Sequence, residues 1–120
     1  MNTRDDVKTF MTAADQTATG FGHQSDLYLD LIREEFAELL VAYMDKDIVE
    51  IADALADLKW VIEGLEITMQ LPQQAIWDEV ARSNLSKISD NGKILKREDG
   101  KVLKPDTYSP PDIKSILNKD

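Results

Sequence analysis

Apolar residues recur at helical spacing through the first three quarters of the chain. Val7, Phe10, Met11 and Ala14 share one stripe, which predicts a helix from Thr3 to about Thr17 with Thr3 as N-cap. A glycine-containing break, Thr19-Gly20-Phe21-Gly22-His23-Gln24, follows. Leu29, Ile32, Phe36, Leu39, Leu40 and Tyr43 then carry a second helix, from Ser25 or Asp26 to about Met44. Asp45-Lys46-Asp47 leaves room only for a tight turn, so a third helix over about Ile48–Gln70 is expected to run antiparallel to the second. Leu71-Pro72 ends it, and Pro72 suits the first turn of a fourth helix reaching about Lys87.

Beyond Lys87 the helical period is lost. Asp90-Asn91-Gly92-Lys93 and Glu98-Asp99-Gly100-Lys101 read as turns, and the flanking Ile94-Leu95 and Val102-Leu103 suggest a small β-hairpin. Pro105, Pro110 and Pro111 keep the remainder extended, while Ile113, Ile116 and Leu117 need cover, as in an arm packed on the body or on a neighbouring subunit. The expected fold class is therefore all-α. An antiparallel helical body spans about 3–87, an irregular basic tail spans about 88–120, and together they make one domain over residues 1–120.

The third helix carries an unusual pattern. With Ile48 at zero and about 100° per residue, Ile51, Leu55, Leu58, Ile62, Leu65 and Met69 fall at roughly 260–340°, with Val49, Trp60 and Ile67 near about 100–120°. Lys59, Glu63 and Glu66, at about 0–60°, read as the solvent face. Glu50, Asp53 and Asp57 lie at about 140–200°, bracketed by apolar positions and opposite that face. An inward carboxylate with no partner costs several kcal/mol or takes up a proton.

The second helix offers a matching pair. Glu35-Phe36-Ala37-Glu38 and Glu50-Ile51-Ala52-Asp53 each place two carboxylates three residues apart, on one helix face. Across a tight hairpin these four would repel unless a cation lay between them, and an all-oxygen set suits hard Mg²⁺ or Mn²⁺. Simpler readings stand beside this one. Asp47 could cap the third helix with Glu50 completing a capping box, and Glu34, Glu35 and Glu38 could be solvated charges near Arg33. Capping does not reach Asp53 or Asp57. On the fourth helix, Ile76, Trp77, Val80 and Ala81 define an inner arc that includes Asn84 and borders Lys87, with Arg82 pointing away. Asn84 and Lys87 could reach a phosphate or base, although a lysine also favours a helix C-terminus.

Charge narrows the partners. With 14 Lys and Arg against 23 Asp and Glu, a net charge of −9 opposes wrapping a nucleic-acid duplex. Residues 1–87 hold 7 basic against 17 acidic side chains and residues 88–120 hold 7 against 6, so an acidic body carries a lysine-bearing tail. No apolar run approaches the roughly 20 residues that cross a bilayer. There is no cysteine, and the acidic start lacks the apolar stretch of a signal peptide, so a cytoplasmic location is expected.

Taken together, the ordered set resembles the all-α nucleoside-triphosphate pyrophosphohydrolase superfamily, the group containing MazG, dimeric dUTPase and phosphoribosyl-ATP pyrophosphohydrolase. The carriers are Glu34 with Glu35 and Glu38, Glu50 with Asp53, Arg82 through Lys87, and Arg97 through Lys104 with Tyr108 to Asp112. The resemblance implies a four- to five-helix protomer assembled into a homodimer or homotetramer. It also implies Mg²⁺-dependent cleavage of a nucleoside triphosphate between the α- and β-phosphates. By position, Glu35, Glu38, Glu50 and Asp53 match the metal ligands, and Glu34 a further ligand or the residue orienting the attacking water. Asn84 and Lys87 match substrate contacts, and Lys93, Lys96, Lys101 and Lys104 would add charge to the phosphate tail. A purine deoxynucleotide such as dGTP is the first expectation for the substrate, with phosphoribosyl-ATP as the alternative. A di-iron helical bundle would need Glu-x-x-His pairs, and the one histidine, His23, lies outside the motifs. A non-enzymatic acidic binding module would need its carboxylates facing solvent, which the phase of the third helix opposes.

Overall fold

The computed structural model describes residues 2–118 and contains five helices, α1 (Thr3–Ala13), α2 (His23–Met44), α3 (Ile48–Thr68), α4 (Gln73–Leu85) and α5 (Ile113–Leu117). Lys119 and Asp120, the end of the expected tail, lie outside the described residues. Among the described residues there is no strand, and no helix is long and apolar enough to cross a membrane. The chain divides into two compact units, one ending at Leu71 and one beginning at Pro72.

In the first unit, α2 and α3 form the antiparallel hairpin and α1 packs along α3. Capping fixes where each helix starts. Asn2 rather than Thr3 caps α1, its side chain accepting from the Asp5 N–H at 2.9 Å. Gly22 precedes α2, and the Ser25 hydroxyl accepts from the Gly22 N–H at 2.9 Å. Asp47 caps α3 through the Glu50 N–H at 3.2 Å. The three helices also end alike. Asp15, Lys46 and Gln70 take left-handed φ values of 59°, 53° and 56°, and the next N–H returns to a carbonyl five residues back. These bonds are Gln16 to Met11 at 2.9 Å, Asp47 to Ala42 at 3.1 Å and Leu71 to Glu66 at 3.0 Å. This Schellman closure stops α1 at Ala13, four residues short of the periodicity estimate.

Val7, Met11, Tyr28, Val61 and Ile67 form the core, with Leu31, Ile32, Leu58 and Leu65 packed against them. Each large apolar side chain buried there contributes about 1.5–3 kcal/mol. Gly64 allows this packing, because a Cβ at that position would overlap the Cε1 edge of the Tyr28 ring. The loop before α2 is pinned to the end of α3: Gly20 N–H donates to Thr68 O at 2.8 Å and Gln24 Nε2 to Thr68 Oγ1 at 2.8 Å.

Two expectations about faces are corrected. Glu63 is only 7% exposed and accepts a hydrogen bond from Thr3 Oγ1 at 2.9 Å. Glu66 is half-buried, and burial together with neighbouring Glu63 raises its pKa against the opposing pull of Arg4. The start of α1 covers this arc of α3, so only Lys59 of the expected solvent face is exposed. Conversely, Leu29, Phe36, Leu40 and Tyr43 on α2, and Leu55 and Ile62 on α3, are exposed. A three-helix unit offers α2 and α3 too few neighbours to cover every apolar stripe.

In the second unit, Pro72 stands at the N-cap of α4 rather than in its first turn, and the helix ends at Leu85. Trp77 and Asn84 of the expected inner arc are exposed, and the buried residue is Ser83. The expected hairpin reduces to two tight turns and two isolated bridges, Ile88 to Ile94 and Lys96 to Val102. Ser89 N–H donates to Lys93 O at 2.8 Å and Arg97 N–H to Lys101 O at 2.8 Å, leaving too few residues between the turns for a ladder. The tail is fastened to α4. Arg82 donates to Glu79 and to Pro110 O at 3.0 Å, while Glu79 accepts from the Asp112 N–H at 2.7 Å. Hydrogen bonding from Arg82, then from Asp112, pulls Glu79 down to about 2.

Candidate metal and nucleotide site

The buried arc of α3 includes Ala54, Val61, Gly64 and Thr68, at about 160–240° on the wheel above, and that arc holds Asp57. The acidic stripe therefore lies along the α2–α3 seam. Depth varies along it. Glu35 and Asp57 are half-buried, whereas Glu38, Glu50 and Asp53 are exposed toward the hairpin end. Glu35 Oε2 is buried with no hydrogen-bond partner. Its carboxyl is pushed up to about 7, first by burial, then by contact with the Glu38 carboxyl, then by the charges of Glu38, Asp57 and Asp53. Three carboxylates, one from α2 and two from α3, thus act on the Glu35 carboxyl.

Two cavities share this seam. One, of about 600 Å³, is lined by Glu38, Glu50 and Asp53 together with Asp45 and Asp47 of the turn. The other, of about 350 Å³, is lined by Glu35 and Asp57 with Phe10, Gln16, Tyr28 and Trp60. Glu34 is exposed, lies one turn before Glu38 and lines neither of them. His23 is exposed at the start of α2. As placed, no three acidic side chains among the described residues close on a common ion position. The donor chemistry nonetheless fits a hard cation: the set is all oxygen, one buried oxygen lacks a partner, and a cation would offset the repulsion that raises Glu35.

The remaining expected residues belong to the second unit. Lys87 Nζ donates to Asn84 Oδ1 at 2.9 Å and lies 5.9 Å from the Tyr108 ring centroid, with Lys104 Nζ at 5.0 Å from the same ring. Lys93, Lys96 and Lys101 are exposed. Sequence reasoning placed Asp57 on the stripe but outside the ligand set. Its position one turn after Asp53 was the available signal. Gln16 and Tyr28 were missed, because the end of α1 and the passage of Tyr28 over Gly64 carry no local motif.

A search of curated proteins returned no match. A family model described as phosphoribosyl-ATP pyrophosphohydrolase matches residues 7–84, a span that contains every carboxylate of the seam. The chain belongs to this phosphoribosyl-ATP pyrophosphohydrolase family of acid-anhydride hydrolases, within the MazG-like all-α nucleoside-triphosphate pyrophosphohydrolase superfamily.

Proposed function

We propose that the protein hydrolyses a nucleoside triphosphate between its α- and β-phosphates with a divalent cation, Mg²⁺ or Mn²⁺, held at the α2–α3 seam. Phosphoribosyl-ATP stands ahead of a deoxypurine triphosphate such as dGTP as substrate. The observation that carries this reading is the coincidence of the family match over residues 7–84 with the convergence of Glu35, Glu38, Asp53 and Asp57.

Glu35, Glu38, Glu50 and Asp53 would hold the cation, with Asp57 behind Glu35. When bound, the cation supplies charge neutralisation on the polyphosphate and acidifies a coordinated water. The seam half-buries Glu35 and holds the carboxylates on two helices. Glu34, exposed and one turn before Glu38, would orient the attacking water or add a further ligand. Asn84, Lys87, Lys93, Lys101 and Lys104 are the candidates for the phosphate groups. The exposed stripe of Leu29, Phe36, Leu40 and Tyr43 supports assembly as a homodimer or homotetramer, since it would otherwise leave a row of large apolar side chains in water.

The test is product analysis. With Mg²⁺, the purified protein is expected to release pyrophosphate, not orthophosphate, from phosphoribosyl-ATP, in a panel that includes dGTP and the other (d)NTPs. Glu38→Gln and Asp53→Asn should each reduce turnover at least ~100-fold with helical content unchanged. Turnover that survives both substitutions would overturn the site assignment. A higher kcat/KM for dGTP than for phosphoribosyl-ATP would reverse the substrate order.

A further inference from the structure

The tail from Ile88 to Leu103 is one turn built twice. Ile88-Ser89-Asp90-Asn91-Gly92-Lys93-Ile94-Leu95 aligns without a gap on Lys96-Arg97-Glu98-Asp99-Gly100-Lys101-Val102-Leu103. Each copy closes with the same bridge, Ile88 to Ile94 and Lys96 to Val102, and each turns on a left-handed glycine, Gly92 at φ 80° and Gly100 at φ 88°. In both, the glycine N–H donates to the carbonyl three residues back, Gly92 to Ser89 at 2.8 Å and Gly100 to Arg97 at 2.9 Å. The following lysine N–H donates to the side chain before the glycine, Lys93 to Asn91 Oδ1 and Lys101 to Asp99 Oδ1, each at 3.0 Å. The copies differ in that side chain and in what holds it. Asn91 is a neutral amide, exposed, with Ser89 Oγ 2.6 Å from its Oδ1. Asp99 is a carboxylate that accepts from Arg97 Nη2 at 2.6 Å, which keeps it below the usual aspartate range.

We infer that Asn91 is a site of self-modification, converting to aspartate and isoaspartate through a cyclic imide with Gly92, and that its twin Asp99 is held back by Arg97. The Gly92 amide nitrogen, having lost its proton to water, attacks Asn91 Cγ. The N–Cγ bond forms, the Cγ–Nδ2 bond breaks, and Nδ2 takes a proton from water and leaves as ammonia. A second water opens either ring carbonyl, giving aspartate with the original backbone or isoaspartate with the chain routed through the side chain. The turn favours the first step. The Lys93 N–H donates to the oxygen on which negative charge develops, and the Ser89 hydroxyl divides its one proton between that oxygen and Lys93 O at 2.7 Å. Asn91 Nδ2 donates to no protein acceptor among the described residues, so the leaving group is unrestrained. A Cβ built on Gly92 would meet nothing within 4 Å, so water reaches the attacking nitrogen. At Asp99 the same closure needs a protonated carboxyl, a form holding less than about one in a thousand molecules at pH 7. Asn84, by contrast, precedes Leu85 inside α4, and Asn2 caps α1. Each conversion at Asn91 adds one negative charge, taking residues 88–120 from 7 basic against 6 acidic side chains to 7 against 7. This chemistry stands apart from the hydrolase reading.

The experiment incubates the full chain in heavy-oxygen water at mildly alkaline pH. Ring opening by that water leaves one heavy oxygen in the product, whichever turn has cyclised. Cleavage after lysine in ordinary water then separates residues 88–93 from 97–101 for mass spectrometry. The expected result is uptake in 88–93, as an aspartate–isoaspartate pair, at least ~10-fold faster than in 97–101. Arg97→Gln should raise uptake in 97–101 about threefold and leave 88–93 as it was. Asn91→Gln, whose longer side chain would have to close a larger ring, should bring 88–93 to background. A synthetic peptide of residues 88–95 serves as the reference. Uptake by that peptide with none in 88–93 of the folded chain would show that the turn shields Asn91, and would overturn the inference. Equal uptake in the two turns of the parent, or no response of 97–101 to Arg97→Gln, would remove the part assigned to Arg97.

Discussion

Replacing Glu35 by glutamine removes the charge that the seam accommodates least. In the folded, metal-free protein this carboxyl titrates at about 7 rather than 4.5, chiefly because it is buried and then because Glu38, Asp57 and Asp53 surround it. The sign follows from linkage. Between those two values the folded state holds a proton that the unfolded state has released, so the stability present at low pH is lost as pH rises from about 4.5 to 7. The whole displacement would correspond to ~3 kcal/mol, and partial solvent access along the seam reduces the expected loss to on the order of 1–2 kcal/mol. Glutamine cannot ionise, so this loss should be missing from Glu35→Gln. Urea unfolding followed by circular dichroism, in chelator, should show the variant gaining on the parent by that amount between about pH 5 and pH 8, or by on the order of 5 °C in Tm. The other titrating groups, Glu66 included, are common to both proteins and cancel in the difference. Adding Mg²⁺ at the higher pH should restore stability to the parent and do much less for the variant, because a cation bound to the folded state replaces the proton. Parallel pH curves for the two proteins would show that Glu35 is not a strained carboxyl and would refute the convergence on which the site is built.

Two further outcomes follow from the packing. Gly64→Ala drives a methyl group against the edge of the Tyr28 ring and should cost about 1–3 kcal/mol in urea unfolding, and Tyr28→Ala in the same chain should relieve the overlap, giving a non-additive pair in a double-mutant cycle. In the second unit, Glu79 holds its charge down to about 2 through Arg82 and the Asp112 N–H, so the tail attachment should loosen as pH falls from about 4.5 toward 2. Lower hydrogen-exchange protection at Ser109 and Asp112, each rate divided by the intrinsic rate at that pH, reproduced at neutral pH by Glu79→Gln, would be the signature.

The helices were legible because their apolar residues repeat at the right spacing, and α2 and α3 are located to within a few residues by Leu29–Tyr43 and Ile48–Met69. Less legible was which side each helix turns inward. A helical wheel of α3 sets Glu63 and Glu66 among polar residues, but α1 lies over them, and a contact between residues 60 apart leaves no trace in local sequence. The end of α1 was also hidden, since Asp15 adopts the left-handed conformation without being glycine. At the site, i, i+3 spacing exposed the carboxylate pairs directly. What it could not reveal was their depth: Glu35 is covered and Glu38 is open, although both belong to one motif. Gln16 and Tyr28 come together only through tertiary packing.

Asp47 serves two helices at once, closing the end of α2 with its N–H and opening α3 with its carboxylate. The linker between the two acidic motifs is therefore clamped at both ends, and its length acts as a gear setting. One residue added or removed between Met44 and Ile48 would rotate α3 by about 100° against α2 and carry Asp53 and Asp57 away from Glu35. The facing of the two acidic motifs thus depends on the number of residues in that turn.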